Sequence, residues 1–254
     1  MCPILFRFGE FPVYAYGFFI ALGFITGFVL ATWKARKEGI PFERVVDLFF
    51  YTLFSSLVGA RILFILINLD SYLSAPFQIF RIWEGGLVFY GGLVLALATA
   101  LWYMRWHRLP VWEMADLFTP SIALGLFFGR MGCFFAGCCY GKETSLPWKV
   151  TFTNPESLAP LHIPLHPTQL YDAANGLAIF FFLLWMERRK RFHGQIFWTF
   201  VLLYAVTRFL IEIFRGDPRG FLLGSVLSTS QVIGIALAIA SLFMLSYLLK
   251  AKRR

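Results

Sequence analysis

Charge is scarce in this chain. Only 15% of its 254 residues are Asp, Glu, Lys or Arg, where a water-soluble domain carries about 25%. Cysteine is scarce as well, with four residues, which excludes a disulfide scaffold. No internal repeat, low-complexity tract or collagen-like period runs through the chain, and its composition excludes disorder. What remains is apolar. Hydrophobic residues make up 59% of the chain and 31 of them are Phe, with a mean hydropathy of +0.69. A water-soluble fold of this length has too little interior to hide that much apolar side chain. The chain therefore reads as an integral membrane protein with almost no soluble part.

A spanning helix needs about 20 mainly apolar residues. Seven segments qualify, at roughly 13–33, 45–68, 86–104, 115–136, 168–186, 195–214 and 228–249. Their connections are short except 137–167, which carries Pro147, Pro155, Pro160 and Pro164. No linker divides the chain. The expected fold is all-α, seven transmembrane helices in a single domain over residues 1–254. The first segment is expected to stay as an anchor. The flank before it holds Arg7 as its positive charge, and no small-residue cleavage site follows before Lys34.

The net charge of +9 raises nucleic-acid binding as a possibility, and the placement of the charges argues against it. Fourteen Lys and Arg residues fall in the first, third and fifth loops and the C-terminal tail, against six in the N-terminus and the other loops. Positive charge marks the cytoplasmic side, so the N-terminus is expected outside and the C-terminus inside.

Three arginines lie within the segments: Arg61, Arg130 and Arg208. Ionisable groups at membrane depth are costly and usually functional. With the expected orientation all three fall in outer halves of their helices, as do Tyr16, Tyr90, Glu212, His166 and Tyr171. This predicts an outward-opening polar cavity lined by cations. Arg208, Glu212 and Arg215 share one helix face, which fits an internal ion pair. Arg61 and Arg130 have no acid four residues away, and an anionic ligand gripped by guanidinium would account for them. Gly23, Gly27, Gly125 and Gly129 suit close helix packing. The crowd from Gly129 through Gly132 and Gly137 to Gly141 suits a bent backbone near a ligand.

Cys133, Cys138 and Cys139 offer three ligands without the spacing of a zinc site, and no metal is expected. A Cys133–Cys138 disulfide or plain packing fits better, and an arginine nearby would make one of them a reactive thiol. Cys2 has no apolar stretch before it and is not a lipidation site. His107 and His193 flank basic loops and read as solvated, and His162 has no evident role. His166, before Pro167, is either a base or part of a turn that starts a helix.

Several of these residues fall into motifs. His166-Pro167-Thr168-Gln169-Leu170-Tyr171 resembles the HP[ST]QLY element of bacterial prolipoprotein diacylglyceryl transferases. So do Phe80-Arg81-Ile82-Trp83-Glu84-Gly85-Gly86 with Gly91-Gly92, Gly129-Arg130-Met131-Gly132, and Arg208 to Arg215. Tyr16-Gly17 and Gly59-Ala60-Arg61-Ile62 fit too, so the similarity runs in order from about residue 14 to 240. The resemblance implies a seven-helix enzyme of the bacterial inner membrane, multi-pass, with its site toward the outer face. It implies transfer of the diacylglyceryl group of phosphatidylglycerol to the cysteine thiol of a prolipoprotein lipobox, releasing glycerol 1-phosphate, without a cofactor. By the same resemblance Tyr90, Arg130, His166, Arg208 and Glu212 are candidate catalytic residues. Tyr16, Arg61, Arg130, Gln169, Tyr171, Arg208 and Arg215 are candidate substrate-binding residues.

The chain also departs from that pattern. Tyr90 stands where the family has a His that is a candidate general base, and a phenol is a weak base at neutral pH. Cys133 and Ala136 stand at two Asn positions and Cys138 at a Glu. Two alternatives therefore stand beside the transferase. One is a paralogue with a different acceptor or chemistry on Cys133, Cys138 and Cys139. The other is a non-catalytic protein that binds an anionic lipid. A channel or transporter fits less well, because no inverted repeat is present.

Overall fold

A computed structural model describes residues 2–9, 11–74, 76–81, 85–217, 221–222 and 227–252. Ile82, Trp83 and Glu84 of the Phe80–Gly86 motif, and the charges Arg219, Arg253 and Arg254, lie outside the described residues. The chain is helical, with α1 Ala15–Glu38, α2 Phe42–Ile67, α3 Leu69–Ser74, α4 Phe89–Trp106, α5 Val111–Ala136, α6 Thr168–Glu187, α7 Gln195–Glu212 and α8 Thr229–Lys252. Three small antiparallel hairpins accompany them: β1 Ile4–Phe8 with β2 Phe11–Tyr14, β3 Val150–Thr151 with β4 Pro164–Leu165, and β5 Phe221–Leu222 with β6 Leu227–Ser228.

Six of the helices, α1, α2, α5, α6, α7 and α8, are long and apolar enough to cross a membrane. A helix of 24 residues such as α1 is about 36 Å long, against about 30 Å of hydrocarbon. The seventh expected segment is helical as α4. At 18 residues, with Tyr90, Gly91, Gly92 and Arg105 within it, it is less apolar and stands outside the six. Large apolar side chains such as Phe54, Ile67, Ile239 and Phe243 are more than half exposed, as expected of surfaces that face lipid. α1 also runs further than expected, so that Lys34, Arg36 and Lys37 sit on its last turns. Gly39 (φ +70°) ends it, with the amide of Ile40 donating to the Ala35 carbonyl at 3.0 Å.

Residues 31–114 form one compact unit. Its centre is a close crossing of α2 and α4 at Gly59 and Gly91. A Cβ added at Gly59 would lie 2.4 Å from the Gly91 carbonyl oxygen, and one at Gly91 would lie 2.3 Å from that of Gly59. Towards one end of this helix pair, Tyr103 donates to Asp47 at 3.0 Å and an Arg44 Nη1 donates to His107 Nδ1 at 2.7 Å. His107 is therefore engaged rather than merely solvated. His193 is exposed.

Residues 1–30 and 115–254 form the other unit. Gly23 and Gly27 of α1 pack on Phe128 and Ser121 of α5, the close helix packing that their spacing suggested. An apolar core of Ala123, Ile179, Leu183, Met186, Ile196 and Phe200 joins α5, α6 and α7. Asp116 of α5 holds the start of α7. Its carboxylate accepts from the Gly194 amide at 2.7 Å and the Phe197 amide at 2.9 Å, and pairs with Lys190 at 3.1 Å. These amides would otherwise be unsatisfied at a helix N-terminus, where negative charge is favoured. The Pro-rich stretch 137–167 is folded: Phe152, Ala159 and Leu165 form a small core with Tyr140 and Val150.

Candidate active site

The site grows from the junction of α5 and α6. α5 ends at Ala136, and Gly137 (φ +78°) turns the chain. Cys139 follows with φ +61°, a conformation that costs a non-glycine residue about 1 kcal/mol or more. Two fully buried side chains of α6 hold this bend. Gln169 Nε2 donates to the Cys138 carbonyl at 2.8 Å and Thr168 Oγ1 donates to the Cys139 carbonyl at 2.8 Å. On its other side the bend bonds to the end of α7, through the Lys142 amide to the Phe214 carbonyl and the Gly216 amide to the Tyr140 carbonyl. Gly141 lies against His166, where a Cβ would come within 2.5 Å of the His166 carbonyl oxygen. The glycines of this stretch thus serve close backbone approach.

The outcome is a cluster of thiols. The Sγ atoms of Cys133, Cys138 and Cys139 all lie within 4.8 Å of one another. All four cysteines of the chain are free, so of the two alternatives, a Cys133–Cys138 disulfide or plain packing, the disulfide is not formed. The Cys139 thiol is held below the ordinary thiol range by hydrogen bonds from Cys133 and Cys138 and then by the Arg215 guanidinium beside it.

Next to the thiols runs a buried chain of charges. Asp172 Oδ2 is 3.3 Å from Arg130 Nε and 3.8 Å from Arg215 Nη1. Arg215 Nε lies 3.8 Å from Glu212 Oε2, which also pairs with Arg208 Nη2 at 2.5 Å. Arg215 also grips Asp217 with two bonds of 2.9 and 3.0 Å. Ser230 of α8 donates to Glu212 Oε1 at 2.5 Å. Three guanidinium groups thus meet three carboxylates. The expected cation-lined cavity is a charge-matched network instead. It is incomplete in its hydrogen bonds: among the described residues the buried Arg208 Nη1 has no hydrogen-bond partner. Arg130 meets Asp172 through Nε.

His166, Gln169 and Tyr171 surround the start of α6. His166 Nδ1 lies 3.1 Å from the Tyr171 hydroxyl, which accepts from Trp148 Nε1 at 2.8 Å. The His166 backbone bonds Lys142 and Gly141 in both directions. Its turn-forming part is therefore plain, and its ring is engaged with Tyr171. Gln169 Oε1 is buried without a partner among the described residues. Tyr16 stacks against Gly132, where a Cβ would sit 3.2 Å from the ring, so it stands one residue from Cys133.

Arg61 and Tyr90 belong to the unit of residues 31–114. All five N–H groups of Arg61 point at backbone carbonyls: Nε at Ile79, Nη1 at Gly85 and Gly86, and Nη2 at Gln78 and Arg81, over 2.6–3.3 Å. A guanidinium has five donors, so none is left for an anion. Arg61 was expected to bind substrate, and its bonds go instead to the carbonyls of Gln78, Ile79, Arg81, Gly85 and Gly86. The helical neighbourhood showed no acid partner because the partners are carbonyls distant in sequence. Tyr90, at the start of α4, is 51% exposed.

Sequence reasoning passed over Asp172, Asp116, Asp217 and Ser230. Asp172 directly follows the His166–Tyr171 motif, and that adjacency was the available signal. It supplies the acid that Arg130 lacks within a turn of its own helix.

A family model described as prolipoprotein diacylglyceryl transferase matches residues 3–247. The chain belongs to the prolipoprotein diacylglyceryl transferase family. Among curated proteins it is 36% identical to the phosphatidylglycerol–prolipoprotein diacylglyceryl transferase of Clostridium tetani, over 96% of each chain. It is 34% identical to the enzyme numbered 2 of Clostridium perfringens, over 91% of this chain and 90% of that one. The protein of the same name from Geobacter sulfurreducens is also 34% identical, over 95% and 93%. Membership in this transferase family and the six apolar helices together make the chain a multi-pass membrane protein. Cys133 and Cys138, two of the four positions at which the chain departs from the motifs it resembles, build the thiol cluster together with Cys139.

Proposed function

We propose that this chain transfers the diacylglyceryl group of phosphatidylglycerol to the cysteine thiol of a prolipoprotein lipobox, the activity named for its relatives in Clostridium and Geobacter. In this reading it is a single transmembrane domain of the bacterial inner membrane with seven spans, α4 being the seventh. The N-terminus and the site face outward and the C-terminus is cytoplasmic, in keeping with the loop charges.

The observation that carries the reading is the unfilled guanidinium edge within a buried network. Arg208 is 8% exposed and its Nη1 lacks a partner among the described residues, and buried donors are almost always satisfied. Arg130 turns Nε to Asp172, and its Nη groups are the ones that would meet the phosphate in this reading. A phosphodiester between these arginines receives charge-assisted bonds. Those bonds strengthen as the glyceryl C–O bond breaks and the phosphate gains charge. Asp172 and Glu212 position the two arginines, and Arg215 bridges the carboxylates. Gln169 and Tyr171 shape the mouth of α6, and Tyr16 borders the thiols. Arg61 serves by holding the segment before α4.

The chemistry is displacement at a glyceryl carbon. The acceptor thiolate forms the new C–S bond, and glycerol 1-phosphate leaves with the electrons of the broken C–O bond. The test is a purified transfer assay. Detergent-solubilised protein, phosphatidylglycerol and a lipobox peptide are mixed and the peptide mass is read. One added diacylglyceryl group, absent with Arg208→Ala, is the expected result. An unmodified peptide beside an active relative overturns the reading in favour of a different acceptor.

A further inference from the structure

The transferase reading requires a thiolate, and the residues near the bend supply an unusual means of making one. The three Sγ atoms within 4.8 Å of one another are not gathered by chance packing of one helix. Cys133 comes from the last turns of α5, and Cys138 and Cys139 come from the bend after it. The bend is held from beneath by the buried Gln169 and Thr168 through its carbonyls, and Cys139 sits at φ +61° to present its side chain. Strain of this kind persists where surrounding structure enforces it, and it concentrates at working sites.

Three thiolates at about 2.3 Å from one tetrahedral zinc ion would stand about 3.8 Å apart. The observed spread needs only small side-chain rotations to reach that. All three cysteines are partly exposed, and among the described residues no fourth His, Cys, Asp or Glu joins the group, so the fourth coordination position is left to a ligand from outside. Three protein ligands with an open fourth position is the pattern of a reactive zinc site, whereas a structural site is closed by four. The charges agree: three thiolates and a divalent cation leave one net negative charge, next to Arg215 and near Arg130.

We propose that Cys133, Cys138 and Cys139 bind a zinc ion whose fourth position takes the acceptor thiol as its thiolate. The proposal rests on the transferase reading for the identity of that thiol. A thiol that coordinates zinc loses its proton, here to bulk water. The zinc-held sulfur then forms the C–S bond at the glyceryl carbon as the C–O bond to phosphate breaks, and glycerol 1-phosphate leaves with that electron pair. The thioether product is neutral and a weaker ligand, so it departs. No side-chain base is needed in this scheme, and neither the Tyr171-bound His166 nor Tyr90 has to act as one.

The experiment uses the full chain, reduced and metal-free in detergent, titrated with Co²⁺ as a coloured substitute for zinc. One equivalent is expected to produce thiolate-to-cobalt charge-transfer absorption and the visible bands of tetrahedral cobalt, both removed by excess Zn²⁺. Adding a lipobox peptide should shift the visible bands, and the same peptide with its Cys replaced by Ser should not. Bound Zn²⁺ should also protect three thiols from iodoacetamide, read by mass, which needs no variant. Cys139→Ser should weaken Co²⁺ binding by at least about tenfold. Absence of thiolate–cobalt absorption, or a disulfide in place of metal uptake, overturns the proposal. So does full transfer by metal-free protein, which leaves the transferase reading standing. Co²⁺ bands that ignore the peptide overturn the thiol-activating part. If the bands respond to the peptide and yet no lipid is transferred, the thiol site is upheld and the transferase reading fails.

Discussion

Asp172 Oδ2 stands 3.3 Å from Arg130 Nε and 3.8 Å from Arg215 Nη1, joining a residue of α6 to one of α5 and to one beyond α7. Asp172 is 4% exposed, so its charge is stabilised by the two arginines rather than by water. Removing one member of a buried ion group leaves the others uncompensated, at a cost of about 3 kcal/mol or more. Asp172→Asn is accordingly expected to lower the unfolding temperature in detergent and to reduce transfer strongly. An unchanged melting profile would show that Arg130 and Arg215 do not depend on it.

Arg61 leads to a different expectation. Its five donors hold the carbonyls of Gln78, Ile79, Arg81, Gly85 and Gly86. Arg61→Lys keeps the charge and loses the planar fork. Melting temperature is expected to fall, while KM for phosphatidylglycerol in the folded fraction stays within about twofold. A tenfold or larger rise in KM with an unchanged melting temperature would return Arg61 to the lipid site.

Gly91 has no room for a methyl group, because the neighbour is backbone: the Gly59 carbonyl oxygen at 2.3 Å. Gly91→Ala must part α2 from α4, and overpacking of this kind costs about 1–3 kcal/mol. Limited proteolysis should cut within residues 31–114 of the variant far faster than in the parent. Equal cutting rates would mean that the crossing is looser than 2.3 Å implies.

Cys139 is expected to be the first thiol alkylated. Hydrogen bonds from Cys133 and Cys138, then Arg215, lower its thiol below the ordinary range. A lowered value leaves thiolate present as pH falls below the range where an ordinary thiol, near about 8.5, is protonated. In reduced, metal-free protein, iodoacetamide at mildly acidic pH should therefore mark Cys139 ahead of Cys138, and the labelling should fade only at still lower pH. Peptide mapping that finds Cys2 labelled and Cys139 spared at that pH would contradict the arrangement.

The amino-acid sequence by itself determined the membrane class, because apolar run length is a local property and a bilayer asks for little else. It also determined where six spanning helices and α4 lie to within a few residues. The ordered motifs from Tyr16 to Arg215 placed the family. The pairing of Arg208 with Glu212 was legible too, since four residues make one helical turn and both groups lie on the same face. The partners of Arg130 and Arg61 were not legible. Asp172 reaches Arg130 from another helix, and the carbonyls that accept from Arg61 belong to Gln78, Ile79, Arg81, Gly85 and Gly86, 17 to 25 residues further along the chain. The thiol cluster was equally hidden. Positions 133, 138 and 139 share no helix face, and they meet only because the chain leaves α5 through left-handed turns at Gly137 and Cys139 and is fastened there by Thr168 and Gln169. Local pattern decides what a helix is made of. Which buried charge finds which partner depends on how separate helices and the loops between them are brought together, and that was decided by the tertiary structure.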